Sequence, residues 1–366
     1  MVDLICGEIE NSGGVVPFSR FMDLALYDPR YGYYMSGLRK LGEGGDFITA
    51  PELGDLFSRS LLRLVVEVLD HVEDGEILEL GAGSGIMAAQ LLDALEAQGK
   101  LPSRYLILDV GGDLKRRQRE NIEAHAPGCM ERVHWLSELP AGFKGVMLAN
   151  EVADALPVDR FCISEGRPRG VGVAWNGAAF EDRMYPLEDA ALDQLLQLDL
   201  AEGYRSEIGL YAQAWMTALC RSLDSGVILV VDYGYPAAEL YHPMRSEGTL
   251  MCHYRHRAHA DPYTHVGLQD ITAHVDFSAL AGCAHDAGQS VLGFTTQASF
   301  LLSLGILELI DPGATTINAD SISLARQVKR LTLPSEMGET FKALAVGSGV
   351  SVALPGFTLT DHRIRL

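Results

Sequence analysis

The sequence is poor in positive charge, in cysteine and in long apolar runs. It carries 29 Lys and Arg against 49 Asp and Glu, a formal net charge of −20. A field of that sign repels phosphate, which excludes a general nucleic-acid binder and favours cationic partners such as Lys- or Arg-bearing segments. No uncharged apolar run approaches the roughly 18–20 residues of a membrane span. The six cysteines are widely spread and none forms a CxxC pair, so reduced, mostly buried thiols are expected rather than disulfide staples. Internal repeats and low-complexity tracts are also lacking. With 48% hydrophobic and 21% charged residues, the composition is that of a globular chain with ample core.

A chain of 366 residues exceeds one ordinary domain of roughly 100–200 residues, so two domains or one large elaborated domain are expected. The spacing predicts helices over residues 17–27 and 53–69. From residue 76 strands and helices alternate: strands at 76–80, 105–110, 132–136, 146–149 and 227–232, helices at 86–98, 113–126 and 211–223. Two further runs, 158–164 and 170–175, read as a hairpin. Apolar strands separated by helices imply a parallel sheet covered on both faces, an α/β fold. The stretch from 233 to about 274 reads as loop-rich. Helices and strands then return, with a last strand near 341–346 and another at 290–294.

The strongest local signal is Glu79-Leu80-Gly81-Ala82-Gly83-Ser84-Gly85. A strand ends, glycines turn the chain, and a helix begins, leaving unpaired N–H groups at the turn. A dinucleotide site would read GxGxxG; here the third glycine comes one position early. Glu79 would repel a pyrophosphate but suits a cationic ligand such as S-adenosylmethionine (SAM), whose carboxylate the turn would hold. Asp109, at the end of the second strand, has the placement of an acid that accepts ribose hydroxyls; the alternative is an exposed strand-end Asp. Ligands of open parallel sheets lie beyond the carboxyl ends of the strands. Glu79, Asp109, Asn150, Glu151 and Asp232 are therefore expected to converge on one crevice. Asp154 has the alternative reading of a helix cap.

Residues 78–85 resemble motif I of class I SAM-dependent methyltransferases. More specific strings resemble the MidA-like family, the mitochondrial complex I assembly factor 7 type: Gly45-Asp46-Phe47-Ile48-Thr49-Ala50-Pro51-Glu52, Asn150-Glu151-Val152-Ala153-Asp154-Ala155-Leu156-Pro157, Val231-Asp232-Tyr233-Gly234-Tyr235 and Gln269-Asp270-Ile271-Thr272-Ala273-His274-Val275-Asp276-Phe277. The resemblance covers about residues 10–350. It implies an α/β class I methyltransferase-like (Rossmann-like) fold: a seven-stranded mixed sheet with a helical N-terminal segment and loop- and helix-rich additions. The expected division is a helical cap over 1–70, a SAM-binding core over 71–235 with a hairpin insertion near 158–205, and a substrate region over 236–366 that completes the sheet.

The resemblance further implies a protein arginine methyltransferase acting on a respiratory complex I subunit during assembly. Gly81, Ala82, Gly83 and Gly85 would line SAM, Glu79 its methionine end and Asp109 its ribose, with Asn150, Asp46 and Thr49 at the same pocket. Asp109-Val110-Gly111-Gly112 departs from the family pattern of Glu followed by Ser or Pro. A guanidinium is a poor nucleophile, with a pKa above about 12. Carboxylates paired with it orient one nitrogen and help remove its proton. Glu151 and Asp154 are the expected clamp, with Asp270 and His274 as second candidates; a structural hydrogen bond is the alternative for His274. Other readings are a methyltransferase of a small molecule and a non-catalytic assembly protein.

The partner expected is a protein substrate carrying an arginine, with no nucleic acid and no membrane span; a homodimer is left open. His253, His256, His259 and His265 tempt a zinc reading, but their spacing matches no common ligand set and Arg255 and Arg257 oppose a cation, so no metal is expected. The opening residues contain neither a basic segment leading into an apolar one nor an Arg-rich stretch. A bacterial cytoplasm is therefore expected, or the mitochondrial matrix for a processed organelle protein.

Overall fold

The structure is a computed structural model that describes residues 1–35, 49–187, 189–310, 319–350 and 353–366. Its centre is a sheet of seven strands: β1 (Glu76–Leu80), β2 (Tyr105–Leu108), β3 (Val133–Leu136), β4 (Phe143–Asn150), β5 (Leu223–Tyr235), β6 (Ser290–Thr296) and β7 (Phe341–Ser348). Their spatial order is β6-β7-β5-β4-β1-β2-β3, and a two-residue strand, Val275–Asp276, adds to the end of β5. Neighbours pair in parallel except β7, which runs antiparallel to both β5 and β6. This is the seven-stranded mixed sheet the sequence predicts. The strand order reverses between β1 and β4, so a crevice opens beyond their carboxyl ends.

Alternation along the strands explains why both faces are covered. Ile77, Val146, Leu148, Val227 and Leu229 face one layer with helices Leu56–Leu69 and Ile86–Ala97. Leu78, Met147, Ile228, Val230 and Leu344 face the other, with helices Leu210–Ser222 and Phe277–Asp286. Strands with apolar residues on both faces are what a sheet sandwiched between helices requires. The six cysteines are free thiols, four of them buried. Among the described residues no helix is long and apolar enough to cross a membrane.

Two differences from the sequence reading concern the additions. Residues 158–175 are not an isolated hairpin: Asp159–Ser164 and Arg167–Trp175 are the inner strands of a four-stranded antiparallel sheet completed by Phe180–Tyr185 and Arg205–Ile208. The outer strands escape the pattern because Phe180–Tyr185 is largely charged and Arg205–Ile208 is only four residues long. Helices Val2–Asn11 and Phe18–Tyr27 seal this sheet through Ile5, Phe18, Phe21, Val173 and Phe180. Within the loop-rich region, Met251–Tyr254, Arg257–His259 and Asp270–Thr272 form a small three-stranded sheet.

Where β4 and β5 run side by side the backbones approach too closely for a side chain. Gly226 has φ +134°, and a Cβ there would lie 1.9 Å from the Gly145 carbonyl oxygen. Gly226→Ala is expected to cost about 3 kcal/mol or more. Gly7, in the first helix, has open space around a Cβ, and Gly7→Ala should stabilise by about 0.5–1 kcal/mol. Thermal melting of both variants checks the pair: the first midpoint falls and the second rises.

Candidate active site

The turn after β1 is built from three left-handed glycines, Gly81, Gly83 and Gly85, with φ of +63°, +54° and +80°. Sterics also demand two of them. A Cβ on Gly81 would lie 2.9 Å from Val152 Cγ2, and one on Gly85 would lie 2.6 Å from Gln118 Cα. The turn forms one wall of a cavity of about 850 Å³ that runs along the carboxyl ends of β1, β2 and β4. Glu79, Gly81, Ala82, Gly83, Asp109, Asn150, Glu151 and Thr49 all line it. Gly85 stands one position behind, capping helix Ile86–Ala97. Asp46 lies outside the described residues.

Glu79 is buried and accepts a 2.6 Å hydrogen bond from the Tyr105 hydroxyl. Burial pushes its pKa up to about 7, with the nearby Asp109 charge adding and the Tyr105 bond opposing. Asp109 accepts from Gly83 N at 3.0 Å and Gln118 Nε2 at 2.7 Å through Oδ2, and from Val110 N at 2.7 Å through Oδ1. Burial still raises it above the usual carboxylate value.

Glu151 takes its position from a carboxylate in the next strand. Asp232 is fully buried, and its Oδ2 accepts from the N–H groups of Val152, Ala153 and Asp154 at 3.0, 2.8 and 3.3 Å. Those three bonds pin the turn after β4, and Glu151, at its start, has φ +54°. A non-glycine residue held there is strained, a feature common at functional sites. Glu151 Oε1 accepts from Ala50 N and from Asn150 Nδ2, both at 3.1 Å. Burial pushes its pKa up to about 8, and the charges of Asp232 and Asp270 push the same way. Asn150 Oδ1 is buried, has no hydrogen-bond partner among the described residues, and belongs to a residue of the cavity wall.

Not every expected residue reaches that wall. Asp232 does not line the crevice; its oxygens are spent on the turn and on Tyr233 N. Asp154, Asp270 and His274 are also absent from the cavity lining. Asp154 is buried and is held well above the usual carboxylate range by burial, then by Asp232, Asp270 and Glu151. Asp270 accepts from the Tyr34 hydroxyl at 2.9 Å, and it is Tyr34, stacked on Tyr27 at 5.5 Å, that faces the cavity. His274 packs beside Tyr233 and Tyr235, and burial first, then Arg245 and Lys342, lowers its pKa to about 4. A neutral imidazole with an unpartnered, buried Nδ1 results. Of the expected clamp, Glu151 alone touches the cavity.

Sequence reading missed Gln118, Trp135, Tyr27 and Tyr34 as cavity residues. Tyr27 and Tyr34 belong to an aromatic run with Tyr31 and Tyr33, a pattern that a packing face shares. Gln118 sat in a polar helix with no motif to mark it.

A mixed seven-stranded sheet, an ExGxGxG turn and an acid after β2 define a class I SAM-dependent methyltransferase. The model of a family described as S-adenosyl-L-methionine-dependent methyltransferase matches residues 60–295, and the chain belongs to this MidA-like family. It is 42% identical to a Burkholderia thailandensis protein whose crystal structure is bound to S-adenosyl-homocysteine, covering 100% of this chain and 96% of that one with a TM-score of 0.95. It is 27% identical to the Drosophila melanogaster protein arginine methyltransferase NDUFAF7 homolog, mitochondrial, over 93% of this chain and 84% of that protein. The Danio rerio protein arginine methyltransferase NDUFAF7, mitochondrial, is 28% identical over 91% and 83%. The cofactor is SAM. The orphaned Asn150 acceptor and the left-handed glycine turn at the cavity wall fit such a ligand.

Raised carboxyl pKa values carry a stability consequence. Glu79 and Glu151 hold their protons in the folded chain up to about 7 and 8, whereas the unfolded chain releases them near 4.5. Their stabilising contribution is complete below 4.5 and is lost as pH rises through 7 and 8. The thermal midpoint of the ligand-free protein should fall between pH 5 and pH 8.5, and Glu151→Gln should flatten the upper part of that slope.

Proposed function

We propose that the protein transfers a methyl group from SAM to an arginine side chain of a protein, and that this substrate is a subunit of respiratory complex I or a similar protein during assembly. The observation that carries the reading is Glu151, a half-buried carboxyl group at the cavity wall, in a strained backbone conformation close to the glycine turn. The names of the curated relatives support the arginine acceptor.

SAM supplies a methyl group already activated on a sulfonium. The glycine turn would let the methionine end of the cofactor approach the backbone closely at Gly81, Ala82 and Gly83, with Gly85 starting the helix behind them. Glu79 and Asn150 would favour its ammonium and Asp109 would accept its ribose hydroxyls, with Thr49 lining the same cavity. Glu151 then pairs with the incoming guanidinium, localises its positive charge and turns one nitrogen towards the methyl donor. Asp154 and Asp270 stand behind the cavity wall, Asp270 holding the Tyr34 hydroxyl in place. An acidic protein of net charge −20 draws a cationic segment to this pocket.

Glu151 must be ionised to pair with a guanidinium, which is charged throughout. With its pKa near 8, kcat/KM for an arginine peptide should rise with pH through about 8 and level above it. Glu151→Gln should lower methyl transfer by about 100-fold or more and abolish that rise, while affinity for S-adenosylhomocysteine changes far less. Radiolabel transfer across pH 6–9 measures the profile; an unchanged profile in the variant would remove Glu151 from the acceptor site.

A further inference from the structure

Gln118 lies in helix Gly112–His125, is fully buried, and meets three strand ends at once. Its Nε2 donates to Asp109 Oδ2 at 2.7 Å and to Gly83 O at 3.2 Å. Its Oε1 accepts from Trp135 Nε1 at 2.8 Å. Gly83, Asp109 and Trp135 all line the cavity, from the turn after β1, the end of β2 and β3 respectively. An indole N–H only donates and the Asp109 carboxylate only accepts, so the amide orientation is forced by its partners. The residue at this point must present a donor on one prong and an acceptor on the other. The close approach of Gly85 to Gln118 Cα ties the helix to the same turn.

We infer that Gln118 is the positioning residue of the adenosine half of the site: it sets Asp109 for the ribose hydroxyls and Trp135 for the adenine in one rigid unit. The inference rests on the placement of the ribose against Asp109 proposed above. Two donors, Gly83 N and Gln118 Nε2, converge on Asp109 Oδ2, whereas Oδ1 carries only its neighbour's N–H. The bonds to Oδ2 orient the carboxylate and oppose the upward push of burial on its pKa. Loss of the Gln118 prong would free Asp109 to rotate and would leave the indole N–H without an acceptor.

The test exploits the two-pronged requirement. Gln118→Glu keeps shape and keeps the acceptor for Trp135, but opposes one carboxylate to another. Burial and Asp109 raise the introduced carboxyl group's pKa. The other charges bearing on it are Glu79 on β1 and, on its own helix, Lys115 and Arg119, which lie over the Trp135 ring. Protonation restores a donor towards Asp109. Relative to wild type at the same pH, affinity for S-adenosylhomocysteine should fall about 10- to 100-fold at pH 8 and recover most of that loss at pH 6. Gln118→Met, which has neither prong, should be weak at both. Wild-type-like affinity of Gln118→Glu at pH 8, or a loss that persists at pH 6 in a protein that still melts cooperatively, overturns the inference.

If neither variant folds, Trp135→Phe decides the matter. It removes only the donor to Oε1 and should lower discrimination between S-adenosylhomocysteine and its 2′-deoxy analogue; undiminished discrimination overturns the inference. A wild-type protein that does not discriminate between the two ligands refutes the ribose placement itself and the role of Gln118 with it.

Discussion

Asp232 is the constraint on which the acceptor side of the site depends. A carboxylate buried at the end of β5 needs donors, and it finds them in three successive N–H groups of the loop after β4. Those bonds tie two adjacent strand ends together and leave Glu151 no relaxed conformation. Burial raises Asp232 to about 6 while its backbone bonds pull the other way. Asp154 and Glu151 are raised in turn, with Asp232 among the causes. One anchored carboxylate thus fixes the geometry of its neighbours and adds to the upward push that burial gives their pKa values.

The donor side is built on a different principle. There the backbone is bare at the glycine turn, and Asn150 and two acids placed by the period of the strands, Glu79 and Asp109, line the same cavity. Glu79 shares a strand with Ile77 and Leu80, so its side chain is buried by the same alternation that builds the core. Its cost is reduced by Tyr105 on the adjacent strand. The two halves meet at the carboxyl ends of β1 and β4, where the strand order reverses.

Much of this was legible in the residues. Apolar strands read at 76–80, 105–110 and 227–232 announce a sandwiched sheet because burial on both faces leaves no room for polar alternation. The glycine turn announces itself because only glycine tolerates the backbone there. What stayed hidden depends on distance in space. Asp232 reads like any strand-end acid, and only its three N–H partners from residues 152–154 reveal a structural anchor. Asp154 and Asp270 carry the residue type of a clamp, yet the packing of Tyr27 and Tyr34 decides which acids reach the cavity. Gln118 has no sequence signature, since its three partners, Gly83, Asp109 and Trp135, come from three different strand ends.

The central claim is that Glu151 holds a proton in the resting protein and gives it up to receive a planar cation. Calorimetric titration of the S-adenosylhomocysteine-loaded protein with an arginine peptide at pH 7, in buffers of differing ionisation enthalpy, counts the protons released. The account predicts release of about one proton per peptide bound by wild type and almost none by Glu151→Gln. Binding without proton release in wild type, or equal release in the variant, would contradict it.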